Sequence, residues 1–275
     1  MTKTALLQAT GLSKTYPLPG GGSHRAAHDV GFAVPEGGSL GIVGESGSGK
    51  TTVARMLVGL VPPDRGEITV AGRRREPRTP RTSRARLARA REIQMVFQDP
   101  YVSLDPRLTA TQCLRTALRL HGKDEKGGAA ARDLLDRVGL GAREADARPR
   151  DLSGGQRQRL AIARALAVDP RVLVLDEAVA ALDVSIQAQI LQLLREIREE
   201  TGVALVFVSH DLAVVRHVTD TVLVMRRGEV VEQGPTGRVL AEPEHGYTRL
   251  LLASVPGENW DPAAVSRTRE ALPAR

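Results

Sequence analysis

Gly44-Glu45-Ser46-Gly47-Ser48-Gly49-Lys50-Thr51 lies between a short apolar run, Ser39–Val43, and a segment in which Val53, Met56, Leu57 and Leu60 recur at the helical spacing i, i+3, i+4, i+7. The order is strand, glycine loop, helix, with four residues between Gly44 and Gly49 and then Lys50-Thr51. This is the complete pattern of a phosphate-binding loop in the context it requires. Glycines let successive backbone N–H groups curl round phosphate oxygens, and the helix N-terminus adds partial positive charge. Lys50 is expected to reach the β- and γ-phosphates of ATP and Thr51 to offer its hydroxyl to Mg²⁺, with Thr52 grouped in the same loop. A plain glycine-rich turn would explain neither the lysine nor the threonine.

Outward from this loop, Ile93–Phe97, Val172–Leu175, Val203–Val208 and Thr221–Met225 read as further strands. The middle two are continuous apolar runs, as in parallel strands covered on both faces, so an α/β core is predicted. Between Asp99 and Leu152 the pattern is helical without a clear strand, which predicts a lobe inserted between two core strands. Arg226 to Val231 reads as a turn between strands, and short helices and loops follow from Pro235. From Gly257 onward the chain is polar with weak periodicity and is expected to lack fixed structure.

Asp176-Glu177 follows the run Val172–Leu175, at the strand end where ligands bind in open parallel sheets. Asp176 suits the Mg²⁺ shell, through water, and Glu177 suits a general base; alone, the pair could equally be a strand-end cap. Leu152-Ser153-Gly154-Gly155-Gln156 also has two readings. Ser-x-x-Gln is a capping box at a helix start. Two glycines in a first helical turn each forfeit up to about 1 kcal/mol relative to alanine, so something is expected to approach that backbone closely. A second anion site is the alternative.

With 275 residues, 41% of them hydrophobic, the chain can build one substantial domain or a domain with a lobe. Runs such as Val203–Val208 and Leu250–Ala253 fall far short of the roughly 18 to 20 residues of a membrane span, so the chain is not expected to be a channel itself. Met1–Gln8 lacks the layout of a secretory signal, which predicts a cytosolic placement. Cys113 is the one cysteine, which excludes an internal disulfide and cysteine-based zinc or iron–sulfur sites. The six histidines are scattered without metal-ligand spacing. An excess of 39 basic over 32 acidic residues favours polyanion partners, nucleic acid or anionic lipid, without choosing between them. Much of it lies in Arg73–Arg91, readable as a solvated loop and helix face or as a partner contact.

Taken together these motifs resemble those of the ATP-binding subunits of ABC transporters, over nearly the whole length to about Pro256. The resemblance implies a P-loop NTPase core of ABC type in residues 1–256, an α-helical subdomain inserted at about 99–150, an antiparallel β subdomain, and a polar tail at 257–275. Leu152–Gln156 matches the family signature, which in such proteins closes over ATP held by the phosphate loop of another subunit. Tyr16 matches the aromatic that stacks on adenine, though it could be a lone surface ring. Gln98 matches the glutamine that senses Mg²⁺ and the attacking water, and otherwise is a solvated loop residue. Asp183 matches the loop crossing to the second subunit and could also be the N-cap of the helix from Val184. His210 matches the histidine that contacts the γ-phosphate; in isolation it would be structural.

One departure is visible: Ala178-Val179-Ala180-Ala181 stands where Pro-Thr-Ser commonly fills that motif, which touches the inter-subunit loop rather than the carboxylates. The strings Phe97–Arg107, Leu182–Leu191 and Glu242–Leu251 resemble the oligopeptide, dipeptide and nickel importer branch. The implied assembly is peripheral on the cytoplasmic face of the membrane. It joins a second ATPase subunit, identical or different, two integral permease subunits and an extracytoplasmic substrate-binding protein. Import of short peptides is the expected task, with nickel or another small solute as the alternative. A soluble ABC-type ATPase acting on nucleic acid would use Arg73–Arg91 as its phosphate footprint. A non-enzymatic regulator would be expected to lack Glu177 or His210.

Overall fold

The computed structural model describes residues 5–78, 80–124 and 128–254. The expected tail at 257–275 lies outside them. In chain order the elements are β1 (Ala5–Pro17), β2 (Ser23–Pro35), β3 (Ser39–Val43), α1 (Lys50–Val58), β4 (Arg65–Val70), β5 (Arg73–Arg75), α2 (Ser83–Glu92), β6 (Ile93–Val96), α3 (Ala110–Leu120), α4 (Ala129–Arg137), α5 (Ala142–Ala145), α6 (Gly154–Leu166), β7 (Val172–Asp176), α7 (Val184–Thr201), β8 (Ala204–Ser209), α8 (Leu212–Val218), β9 (Thr221–Arg226), β10 (Glu229–Pro235), α9 (Thr236–Ala241) and α10 (Gly246–Ala253). Two compact units divide the chain, one of residues 1–77 with 206–275 and one of residues 78–205.

In the first unit an antiparallel sheet runs β2-β1-β4-β5, and a second sheet places β10, β9, β3 and β8 side by side. β3 and β9 pair in parallel from Leu40 opposite Thr221 to Val43 opposite Val224. Their register is locked at the entry, where Asp220 Oδ2 accepts the Ser39 N–H at 2.9 Å and Ser39 Oγ accepts the Asp220 N–H at 2.9 Å. All five residues of β3 are buried, as a doubly covered strand requires. Val43, Leu212, Val215, Val222, Val224, Val239, Tyr247 and Leu250 form one apolar cluster that clamps α8, α9 and α10 to this sheet. α1 buries Val53, Met56 and Leu57, but it stops at Gly59, whose φ of 81° is a left-handed cap. Leu60, expected to continue the stripe, is therefore outside the helix and 59% exposed.

The second unit pairs β6 and β7 in parallel, Ile93 opposite Val172 and Val96 opposite Leu175. α6 packs on β6, α3, α4 and α7, burying Leu160, Ile162 and Ala163 among others. From 100 to 151 the described residues hold α3, α4, α5 and two short 3-10 turns, with no strand, in line with the helical stretch read from sequence. α2, which carries much of the basic run, buries none of its residues. The run is not uniformly solvated, because Arg75 is buried and its guanidinium donates to the Leu57 carbonyl at the end of α1.

β10 ties the last helix to the first unit. Glu232 accepts the backbone N–H groups of Glu244 at 2.9 Å and His245 at 3.1 Å. Burial pushes its carboxyl up, but the hydrogen bonds it accepts outweigh burial and hold it below the ordinary carboxylate range. A lowered folded pKa means stability that is present above the unfolded value and lost as pH falls through the folded one. Glu232→Gln is expected to be less stable than the parent protein near about pH 7, with the gap closing toward about pH 3; denaturant midpoints across that range measure it.

Candidate functional site

The phosphate-loop residues lie where β3 runs out and α1 begins. Backbone geometry explains the glycines individually: Gly44 has φ 153° and Gly49 φ 105°, and a side chain at either would run into a backbone carbonyl, Met225 O at Gly44 and Ala26 O at Gly49. Gly47 differs, with φ 79° and open space where its side chain would stand. The loop is thus gripped at both ends and uncovered at its middle. Ser48 N–H donates to Glu45 O at 3.2 Å, which closes a turn, and Gly228 N–H donates to Ser48 O at 2.9 Å. Ser48 Oγ is buried without a protein partner.

Lys50 is 4% exposed, and its ammonium donates to the loop carbonyls of Gly44 at 2.8 Å and Glu45 at 2.9 Å. A lysine with three donors so bound is aimed along the loop rather than away from it. The hydrogen-bond ladder of α1 opens with Val53 N–H to Gly49 O at 3.0 Å, so the N–H groups of Lys50, Thr51 and Thr52 precede it in the first turn. That cradle fits an anion at a helix N-terminus. Ser46 lies on the exposed side of the loop. Tyr16 is half-buried at the end of β1, opposite His24 of β2, with the Lys14 ammonium 5.7 Å from its ring centroid. Because Ala26 of β2 abuts Gly49, the first unit brings the strand end bearing Tyr16 toward the loop. His210 is exposed in the two-residue link from β8 to α8, just before Asp211, whose carboxylate caps α8.

In the second unit the parallel register carries three predicted residues to one end. Val96 faces Leu175, and two positions beyond that pair lie Gln98 and Glu177, with Asp176 closing β7. Glu177 has φ 48°, a left-handed conformation that costs a non-glycine residue of order 1–3 kcal/mol. Its carbonyl accepts the Ala180 N–H at 3.1 Å, so the chain turns sharply off the strand. Asp176 is 7% exposed and Gln98 is exposed. A carboxylate at such a strand end is a hard oxygen donor of the kind that suits Mg²⁺, which keeps most of its shell as water and substrate phosphate.

The signature residues satisfy the capping reading in full. Ser153 Oγ accepts the Gln156 N–H at 3.2 Å and Gln156 Oε1 accepts the Ser153 N–H at 2.9 Å. What approaches the glycine backbone within this unit is α7 and the turn before it: a methyl at Gly155 would stand 2.5 Å from Ile186 Cγ2 of the helix, and one at Gly154 would stand 3.6 Å from Leu182 Cδ2 of the turn. Ile186 was not singled out from sequence, and only the tertiary packing identifies it. Ser153 itself remains exposed. Asp183 occupies the N-cap position of α7 but makes no side-chain capping bond, so the expected cap is one of position only. Tyr247 also escaped the sequence reading, although it sits in the Glu242–Leu251 string; its hydroxyl accepts the Glu45 N–H of the loop at 2.9 Å.

A family model described as ABC transporter matches residues 27–180. The chain is 46% identical over 268 residues to a probable peptide ABC transporter ATP-binding protein, y4tS, of Sinorhizobium fredii, covering 92% of this chain and 73% of that one. It is 46% identical over 259 residues to the glutathione import ATP-binding protein GsiA of Escherichia coli, covering 91% of this chain but only 41% of GsiA. Among solved structures it resembles the dimeric, post-hydrolysis ATP-binding cassette MJ0796 bound to ADP and Pi, with TM-score 0.73, 31% identity, and 84% of this chain and 98% of that one covered.

Steric contact at Gly155 yields a stability test. Gly155→Ala is expected to cost about 1–3 kcal/mol by overpacking. Adding Ile186→Ala, which removes the obstructing methyl, should recover part of that loss, with a coupling of at least about 0.5 kcal/mol in denaturant unfolding.

Proposed function

The chain belongs to the ABC transporter family, and from that premise we propose that it is the ATP-hydrolysing subunit of an import complex, powering uptake of short peptides across the cytoplasmic membrane. The observation that carries the ATP reading is the cradle itself: a loop pinned at Gly44 and Gly49, open at Gly47, with the Lys50 ammonium laid along it. The peptide class is supported by the names of the relatives, a peptide transporter subunit and a glutathione import subunit.

In this proposal the amides of residues 46–52 and Lys50 hold the phosphates, and Tyr16 lies against the adenine. Thr51 and, through water, Asp176 and Gln98 would hold Mg²⁺, which would supply positive charge at the phosphate oxygens. Glu177 orients the attacking water and takes its proton, a role typically worth 10² to 10⁴-fold in rate. His210 contacts the γ-phosphate. Ser153, Gly154, Gly155 and Gln156 act on the nucleotide of a second ATPase subunit, identical or different, and Asp183 lies in the crossing loop. A capped helix suits that task, since the Ser153–Gln156 bonds fix the backbone before any anion arrives. Among the described residues no helix is long and apolar enough to cross a membrane, and in this proposal two integral permease subunits form the path, as the import-system relatives suggest. We assign the helical stretch at about 99–150 to docking them, place the protein peripherally on the cytoplasmic face, and expect a substrate-binding protein on the far side.

Glu177→Gln is expected to keep ATP binding while turnover falls at least about 10²-fold and an ATP-bound dimer accumulates; turnover near the parent rate removes Glu177 from the base role. Ser153→Arg is expected to lose about 1 kcal/mol of stability with its cap and to abolish hydrolysis, while a single chain binds ATP as before. Normal hydrolysis in that variant argues against a shared site.

A further inference from the structure

No step of nucleotide hydrolysis uses the string from Glu242 to Leu251, yet the structure anchors it with several side-chain bonds. His245 caps α10, its Nδ1 accepting the Tyr247 N–H at 3.1 Å. Glu232 of β10 holds the Glu244 and His245 amides. Arg249 Nη1 donates to the carbonyls of Pro243 and Glu244, both at 3.0 Å, and Arg238 pairs with Glu244 at 2.6 Å. These contacts fix where α10 begins, and so where Tyr247 points.

Tyr247 is 2% exposed and packs in the cluster that contains Val43, the residue immediately before Gly44. The Arg226 guanidinium lies 5.3 Å from its ring centroid. Phenylalanine would meet every apolar demand of this position. Burying a phenol oxygen instead costs free energy unless it is hydrogen-bonded. One bond that this oxygen makes is to the phosphate loop, where Tyr247 Oη accepts the Glu45 N–H at 2.9 Å. Glu45 is the second residue of the loop and its carbonyl accepts the Lys50 ammonium and the Ser48 N–H.

We infer that Tyr247 is a positioning residue for nucleotide binding: its hydroxyl pins the Glu45 backbone, so that the loop is formed before phosphate arrives and α10 becomes a strut of the ATP site. A loop already ordered loses less freedom on binding, which raises affinity without any contact to the ligand. The inference rests on the phosphate loop being the nucleotide site. Tyr247 touches no reacting atom, so its loss should appear in affinity and KM and not in kcat.

The test compares full-length parent, Tyr247→Phe, Leu250→Ala and Lys50→Ala proteins by titration with Mg-ATP, by ATPase assay and by denaturant unfolding. Tyr247→Phe is expected to raise Kd and KM for ATP about 3- to 10-fold, the scale of one lost hydrogen bond, with kcat within about twofold. Leu250→Ala, which thins the same cluster without touching the loop, should unfold at lower denaturant but keep the parent Kd. Parent-like ATP affinity in Tyr247→Phe overturns the inference, as does an equal loss in Leu250→Ala, which would make packing the cause. Amide exchange of the nucleotide-free parent gives a reading independent of any variant: slow exchange at Glu45 supports the strut, and exchange at the rate of an open loop overturns it. A parent protein that fails to bind ATP, or a Lys50→Ala variant that binds it equally well, defeats the nucleotide reading itself and the strut with it.

Discussion

A backbone carbonyl stands where a side chain would grow at both ends of the phosphate loop, Met225 O at Gly44 and Ala26 O at Gly49. That double contact is the constraint from which the rest of the first unit follows. It seats β9 and β2 against the loop's glycines and leaves open space only at Gly47. A curl of N–H groups at a helix start attracts anions whatever the surrounding sequence. The rigid, fully buried β3 and its Ser39–Asp220 lock deliver the loop to that position. Lys50 then has little choice of direction, with two loop carbonyls already holding its ammonium.

The second unit solves a different problem, the presentation of carboxylates at the end of a buried strand. β7 is apolar throughout until Asp176, and the left-handed φ of Glu177 breaks the strand in one step. Backbone strain of this kind recurs at functional sites, because surrounding packing can over-determine what the residue alone would avoid. The departure from the family pattern, Ala178 to Ala181, falls just after that turn. Ala178 and Val179 are buried there, so apolar contact holds a segment that hydroxyl and proline chemistry commonly shape. The signature helix shows the same economy: Ser153 and Gln156 cap α6, Gly155 admits Ile186 of α7, and Ser153 still faces solvent.

Much of this was legible in the chain. β3 matches its apolar run at both ends, and β6, β7, β8 and β9 fall within one or two residues of the runs that announced them, because parallel strands covered on both faces write themselves as unbroken apolar stretches. The two strands of 13 residues in the antiparallel sheet were not located from periodicity. β1 and β2 are bulged at several points, so their apolar positions drift between faces and the alternation of two is lost. Leu60 misled for a simpler reason: a helical stripe in the sequence does not stop at a glycine, but the helix does. Arg75 shows the opposite error, a charged residue in a basic run whose guanidinium is buried to finish a helix end.

The sequence by itself determined the phosphate loop, the acid pair, the capped signature helix and the family, since each depends on residue types at short fixed spacings that local geometry converts directly into structure. Tertiary structure alone decided which neighbour fills each close approach: Met225 and Ala26 against the loop glycines, Ile186 against Gly155, Tyr247 against Glu45. Those partners lie from 23 to 202 positions apart along the chain, and nothing in a short window of sequence can register a contact that exists only once the sheet has brought distant strand ends together.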